Sequence, residues 1–277
     1  MKLVFSRKGF DSSAGGFPSP IINGKPLSLP IPYRNSRVSY QNFNLGKIVK
    51  DLTGRKLVEK DLCHNDPDLK MGAFGQFSSA QSHLDNRNIG SGDLFLFFGW
   101  FREAEIVDGN YRYKNDAIDH HRIFGWMFVD QKFSVGSETE KFRRECTNYA
   151  NHPHAIGKWG PNNTIYLAPE TFSLFGEHTI KGFGKFSVSK QTMLTNEKAP
   201  SKCFWSVPDW LNPTKGGCIP SYHNEKSYIE GLLKTAGRGQ EFVCHPRQNK
   251  KFKGWLLDLF GEEINKLNHT TKCETRN

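Results

Sequence analysis

Gly92-Asp93-Leu94-Phe95-Leu96-Phe97-Phe98-Gly99-Trp100-Phe101-Arg102 and Arg122-Ile123-Phe124-Gly125-Trp126-Met127-Phe128-Val129 read as two buried strands. The first is entered through a Gly-Asp turn and the second carries a central glycine; both are short and rich in Phe. They give strands over 93–98 and 122–129, and similar short runs predict strands over 2–6, 164–168 and 183–188. Helices are expected over 137–149, with Ser137 as candidate N-cap, and over 225–235 and 252–267. Asn23-Gly24, set between two apolar runs, marks a tight hairpin turn. Strands and helices do not alternate, which sets aside a doubly wound parallel fold. The expected fold is α+β, with a mixed, partly barrel-like sheet and a helical C-terminal third. We expect one domain over 1–277, its 200–277 portion helical.

The chain has 277 residues, a net charge of +10 and 22 Phe. Such a basic chain has nucleic acid as its first candidate partner and acidic membrane surfaces as its second. The aromatics serve the core, and they also supply surfaces on which unpaired bases stack. Cysteines at 63, 146, 203, 218, 244 and 273 form no C-x-x-C pair, which argues against a zinc ribbon or finger. The charged N-terminus meets no long apolar run, and Leu94–Phe98, the longest apolar stretch, is too short to span a bilayer. The expectation is a reduced, soluble, cytoplasmic protein with no membrane attachment.

Candidate chemistry begins at the first strand's mouth, Ser6-Arg7-Lys8-Gly9-Phe10-Asp11-Ser12-Ser13-Ala14-Gly15-Gly16. Cations and glycine-rich backbone can hold a phosphate, with Asp11 as a carboxylate at hand; a solvated surface loop has the same composition. A second cluster is Cys63-His64-Asn65-Asp66-Pro67-Asp68-Leu69. Alternation places His64, Asp66 and Asp68 on one side of an extended segment, where they suit proton sharing, a divalent metal, or simply a capped turn. A third is Gly72-Ala73-Phe74-Gly75-Gln76-Phe77 with Ser82-His83-Leu84, whose Gln76 and His83 can read a base edge. A fourth is Asn151-His152-Pro153-His154-Ala155 with Lys158-Trp159 behind it. Two histidines across a proline lack the helical zinc-protease spacing, but they suit phosphate contact or proton donation, and Trp159 suits stacking.

Walker and Rossmann loops, a G-x-S-x-G elbow and the zinc-deaminase signature are missing from the sequence. Nucleotide hydrolysis by a P-loop, hydride transfer and zinc deamination lose weight accordingly.

Taken in order, these clusters resemble the nucleotide-modification-associated domains, third type. The resemblance starts at Ser6–Gly16, Pro18-Ser19-Pro20-Ile21 and Ser28-Leu29-Pro30-Ile31-Pro32. It continues through His64, Asp66-Pro67-Asp68-Leu69, Gly92–Arg102, Gly125-Trp126 and His152-Pro153-His154, to about Phe242. It implies a role in nucleic-acid modification, in conflict with phages carrying hypermodified bases. The strands 92–102 and 122–129 are also similar to small barrels of the pseudouridine-synthase-and-archaeosine-transglycosylase type, in which Arg102 and Trp126 would line a base pocket.

The function expected is cleavage of the N-glycosidic bond of a flipped, hypermodified base in DNA, or in RNA, with no cofactor and no protein partner. Asp11 or Asp66 would be the catalytic carboxylate and His64 its proton partner. Arg7, Lys8, Ser12 and Ser13 would hold phosphate. Asp68, Gln76, His83, Arg102, Trp126, His152, His154 and Trp159 complete the substrate contacts. The alternatives are a non-catalytic reader holding a modified base in a barrel pocket, group transfer from a soluble donor, and a metal nuclease using His64, Asp66 and Asp68.

Overall fold

The computed structural model describes residues 1–136, 138–235 and 241–266. Its first third carries β1 (Leu3–Arg7), β2 (Ser19–Ile22), β3 (Lys25–Pro26), β4 (Ile31–Pro32), α1 (Gly46–Leu52), β5 (Cys63–His64), β6 (Ala73–Gln76) and α2 (Ser78–Asn86). The middle holds β7 (Leu94–Val107), β8 (Asn110–Tyr113), β9 (His120–Phe128), β10 (Gln131–Ser134), α3 (Thr139–Glu145), α4 (Pro153–Ile156) and β11 (Thr164–Leu167). The rest is β12 (Thr171–Leu174), β13 (His178–Lys181), β14 (Phe183–Lys185), β15 (Phe204–Ser206), β16 (Tyr228–Ile229), β17 (Leu232–Lys234), β18 (Glu241–Cys244) and α5 (Lys250–Leu259).

The spine of the molecule is a mixed sheet ordered β14-β9-β7-β1-β18. β1 runs parallel to β7, Leu3 opposite Leu94, and antiparallel to β18, Leu3 opposite Cys244. β9 runs antiparallel to β7 with a bulge between Phe97 and Phe98. Because side chains alternate along a strand, β7 feeds two cores. Leu94, Leu96 and Phe98 pack with Phe5, Trp126, Trp205 and the apolar side of α5. Phe95, Phe97 and Phe101 pack on the other face with Val4, Phe74 and Tyr166. Burial on both faces explains why this stretch is uninterruptedly apolar.

A second, antiparallel sheet, β10-β11-β6, lies over the Phe95 face. Phe74 of β6 and Tyr166 of β11 are register partners and point into that core. The next residue, Gly75, therefore faces away from the core. The site is built on that outer face.

The α+β class holds, with two corrections. The sheet is open, not barrel-like: its end strands β14 and β18 do not pair. Past the bulge, β7 continues to pair with β2 and β8. Nor is the C-terminal third mainly helical. Residues 225–235 form a short 3-10 turn and the hairpin β16–β17. Tyr228, Ile229, Leu232 and Leu233 have helical spacing, but Glu230 and Gly231 both sit at positive φ, 51° and 79°, a turn that reverses the chain. Among the described residues of that third, α-helix is confined to α5 and the helical backbone over 261–266, with short 3-10 turns at Asp209–Leu211 and Pro213–Lys215. The helix expected over 137–149 shortens to α3 and a 3-10 turn at Thr147–Tyr149; Ser137, Cys273 and the end of the 252–267 helix lie outside the described residues. Asn23-Gly24 does form the β2–β3 turn, both residues at positive φ. Among the described residues no helix is long and apolar enough to cross a membrane.

Candidate functional site

Three chain segments converge on Asp66. The residue follows β5, and its side chain is only 4% exposed. Gly75 of β6 donates its backbone N–H to Asp66 Oδ1 at 2.9 Å. His152 and His154 arrive from the start of α4, where His152 is the N-cap and Pro153 the first helical residue. Proline suits that position because its missing N–H has no partner to lose. His152 Nε2 stands 3.3 Å from Asp66 Oδ1, and His154 Nε2 3.8 Å from Oδ2. His64 Nε2 completes the group at 3.9 Å from Oδ2.

Hydrogen bonds behind the rings assign the protons of two of them. Asn163 Nδ2 donates to the His154 carbonyl, 2.8 Å. That orients its Oδ1 to accept from His154 Nδ1, 2.6 Å, so the His154 Nε2 lone pair faces Asp66. His152 Nδ1 accepts the His154 backbone N–H, 3.2 Å, so its proton sits on Nε2, which lies 3.3 Å from Oδ1 without a formed hydrogen bond. Gly75 makes room for the arrangement: a Cβ there would collide with the His154 ring.

Burial would raise the Asp66 carboxyl, but His152 at its Oδ1, with the His154 and His64 rings, outweighs that and holds it well below the usual carboxylate range. Burial pushes His154 down to about 3 against the pull of Asp66. It lowers His64 too, aided by His152 and Lys8. At neutral pH an ionised Asp66 therefore faces uncharged His64 and His154. Imidazole nitrogens and a carboxylate oxygen from His64, Asp66 and His154 all lie within 4.8 Å of one another, the donor set of a divalent metal.

The cluster sits in the wall of a cavity of about 580 Å³. His64 and His152 line it with Tyr33, Tyr149 and Trp159, and Arg37 and Lys158 bring positive charge. Trp159 stacks on His154 with centroids 4.2 Å apart. Tyr33 lies beyond, 6.1 Å from Trp159 and within 12° of parallel. A second, small cavity of about 60 Å³ touches His64 and Asp66 from the side of Gly9, Ser28 and Lys185, room for ordered water. His64 and Asn65 border both spaces.

Of the residues singled out in the sequence, His64, Asp66, His152, His154 and Trp159 come together here. Asp68 lines the same large cavity, while its Oδ1 accepts the backbone N–H groups of Lys70 and Met71. Lys8 and Gln76 meet next door: Lys8 Nζ lies 3.0 Å and Gln76 Nε2 2.6 Å from Glu241 Oε1. Asp11 stands apart, its Oδ1 accepting from Ser13 N, Ser13 Oγ and Ala14 N, all at 2.7 Å, with Ser12 and Ser13 exposed in that turn. Arg7 is buried on the opposite face of β1 from Lys8, over the Phe98 ring. His83 bonds Ser221 Oγ at 2.9 Å, and Arg102 pairs with Asp119 at 2.7 Å. Trp126 is a core residue, 1% exposed, donating to the Lys181 carbonyl.

Sequence reasoning missed Tyr33, Gly75, Asn163 and Glu241. Asn163 carried a signal, as a second amide directly after Asn162 and just before a strand. Tyr33 and Glu241 carried none, because their roles come from tertiary pairing.

A family described as nucleotide modification associated domain 3 matches residues 2–245. No curated protein and no solved structure matches the chain.

Proposed function

Because the chain belongs to the nucleotide modification associated domain 3 family, we propose that it is an enzyme acting on a modified nucleobase, hydrolysing the N-glycosidic bond. The observation that carries this reading is a single cavity lined by an aromatic wall and by His64 and His152, the two imidazoles that back onto the buried Asp66 carboxylate. Tyr33 and Trp159 are nearly parallel, and widening their 6.1 Å separation to about 7 Å admits a base in van der Waals contact with both rings. Arg37 and Lys158 attract phosphate at the same cavity.

The chemistry then needs only water. Uncharged His64 takes a proton from a water molecule as its oxygen bonds to C1′ of the sugar. The C1′–N bond breaks with its electron pair passing to the base, and that proton is returned to the departing base. Ionised Asp66 stabilises the positive charge that builds up on the sugar and on His64. Asp11, held in its own turn, has no part in this scheme.

The test is incubation of the purified protein with DNA and nucleotides carrying hypermodified bases, read by mass spectrometry for free base and by alkaline cleavage for abasic sites. Base release that disappears in Asp66→Asn supports the reading. Binding without release overturns it. The cavity also suits a reader, since Asp66 itself does not line the larger space; undiminished biological effect in Asp66→Asn, with loss in Trp159→Ala, would select that alternative.

A further inference from the structure

We propose that His64, Asp66 and His154 bind one divalent transition-metal cation. The inference goes beyond base hydrolysis: with a cation bound, the His64 Nε2 lone pair is a ligand, and activation of the attacking water would pass from His64 to the cation.

The strongest sign is the convergence of three donor atoms within 4.8 Å of one another. The Asn163 amide holds the His154 Nδ1–H and turns Nε2 toward Asp66 Oδ2, 3.8 Å away, too far for a direct hydrogen bond. Groups held at such a separation with nothing between them would ordinarily rotate to other partners. Here neither can: Trp159 covers one face of the His154 ring, and Gly75 lies against it. The other carboxylate oxygen is also fixed, by the Gly75 N–H. The supports hold two lone pairs aimed at one point, and His64 Nε2 lies 3.9 Å from the same oxygen.

The surroundings match those of metal ligands. A coordinating imidazole commonly donates its second nitrogen to a carbonyl-type oxygen, as His154 does to Asn163, and a coordinating carboxylate is itself hydrogen-bonded, as Asp66 is by Gly75. Two imidazoles and one carboxylate are a borderline donor set suited to Zn²⁺, Fe²⁺, Mn²⁺ or Co²⁺ rather than to Ca²⁺ or Mg²⁺. Bonds of about 2.0–2.2 Å in a tetrahedral site set donor atoms about 3.4 Å apart, so binding draws the three together from their spread of up to 4.8 Å. Three protein ligands leave positions for water or substrate, the pattern of a reactive site rather than a closed structural one. His152, whose Nδ1 lone pair is taken by the His154 backbone N–H, is a positioning residue and not a ligand.

The test uses the full chain, free of any histidine tag and stripped with a chelator. Co²⁺ is titrated with visible d–d absorption as readout, and Zn²⁺ by calorimetry, both without nucleotide. We expect one equivalent per chain for the wild type and no saturable uptake for His154→Gln or Asp66→Asn. Asn163→Ala should weaken binding by about 10–100-fold, and Asp11→Asn should match the wild type. The proposal falls if folded wild-type protein takes up neither ion stoichiometrically, or if either ligand variant, folded by circular dichroism, binds as tightly as wild type. Should a ligand variant fail to fold, wild-type stoichiometry and the Asn163→Ala shift decide. Failure of base release with metal binding intact would count against the glycosidic reading alone.

Discussion

Trp159 lies flat on His154, centroids 4.2 Å apart and planes within 4°. One indole thus forms part of the cavity wall on its outer side and covers the His154 imidazole on its inner side. The Trp159 Nε1–H, bonded to the Pro153 carbonyl at 3.1 Å, ties the ring to the helix that carries both histidines.

Trp159→Ala should weaken nucleotide binding by about 1–3 kcal/mol, the worth of one stacked base. Trp159→Phe should recover most of it. Fluorescence titration with a modified nucleotide measures the difference, and equal affinity of wild type and Trp159→Ala would place the base elsewhere.

Gly75→Ala puts a methyl group into the His154 ring. Overpacking of this kind costs about 1–3 kcal/mol, read as a lower melting temperature, and it should displace His154 enough to remove activity. A variant that melts and works like wild type would show that the ring has slack.

Lys8 and Glu241 form an ion pair with side chains 13% and 4% exposed, and the ammonium also sits over the Phe74 ring. Lys8→Met strands a buried carboxylate, and Glu241→Gln strands a buried ammonium, so each should cost about 3–5 kcal/mol. The double variant should be milder than the sum of the two. Urea unfolding of the four proteins tests this, and simple additivity would refute the pairing.

His120 and His121 are buried away from the site. Burial, then the Arg122 charge, lowers His120 to about 4, and burial with Arg7 holds His121 well below its ordinary 6.5. The unfolded chain therefore binds protons that the folded chain refuses, so stability is complete above about 6.5 and declines as pH falls towards about 4. The slope should reach about 1.4 kcal/mol per pH unit for each histidine and be shallower in His120→Gln. Unfolding free energies that stay level across this window would contradict it.

Much of the architecture could be read from residue order. The Phe-rich run at 94–98 and the strand at 122–129 are indeed the sheet centre, because burial on both faces demands uninterrupted apolar sequence. The β16–β17 hairpin escaped, since its four apolar residues have a spacing that fits a helix and only Gly231 argues otherwise. Openness of the sheet escaped as well: partner choice at the far end of β7 is a tertiary matter. At the site, His64 and Asp66 share a segment and His152 and His154 share another, so each pair was visible locally. Their meeting was not, nor was the separation of Asp11, because sequence carries no distance across 80-odd residues.

The pairing of Leu3 with Cys244 has a cost during synthesis. At about 5–20 residues per second, a ribosome needs roughly 12–50 s to deliver the second partner after the first. Throughout that interval the outer edge of β1 has no neighbour to cover its amide groups, an invitation to pair with another nascent chain. Production of this protein should therefore benefit from slower initiation, lower temperature or extra chaperone more than its melting point alone would indicate.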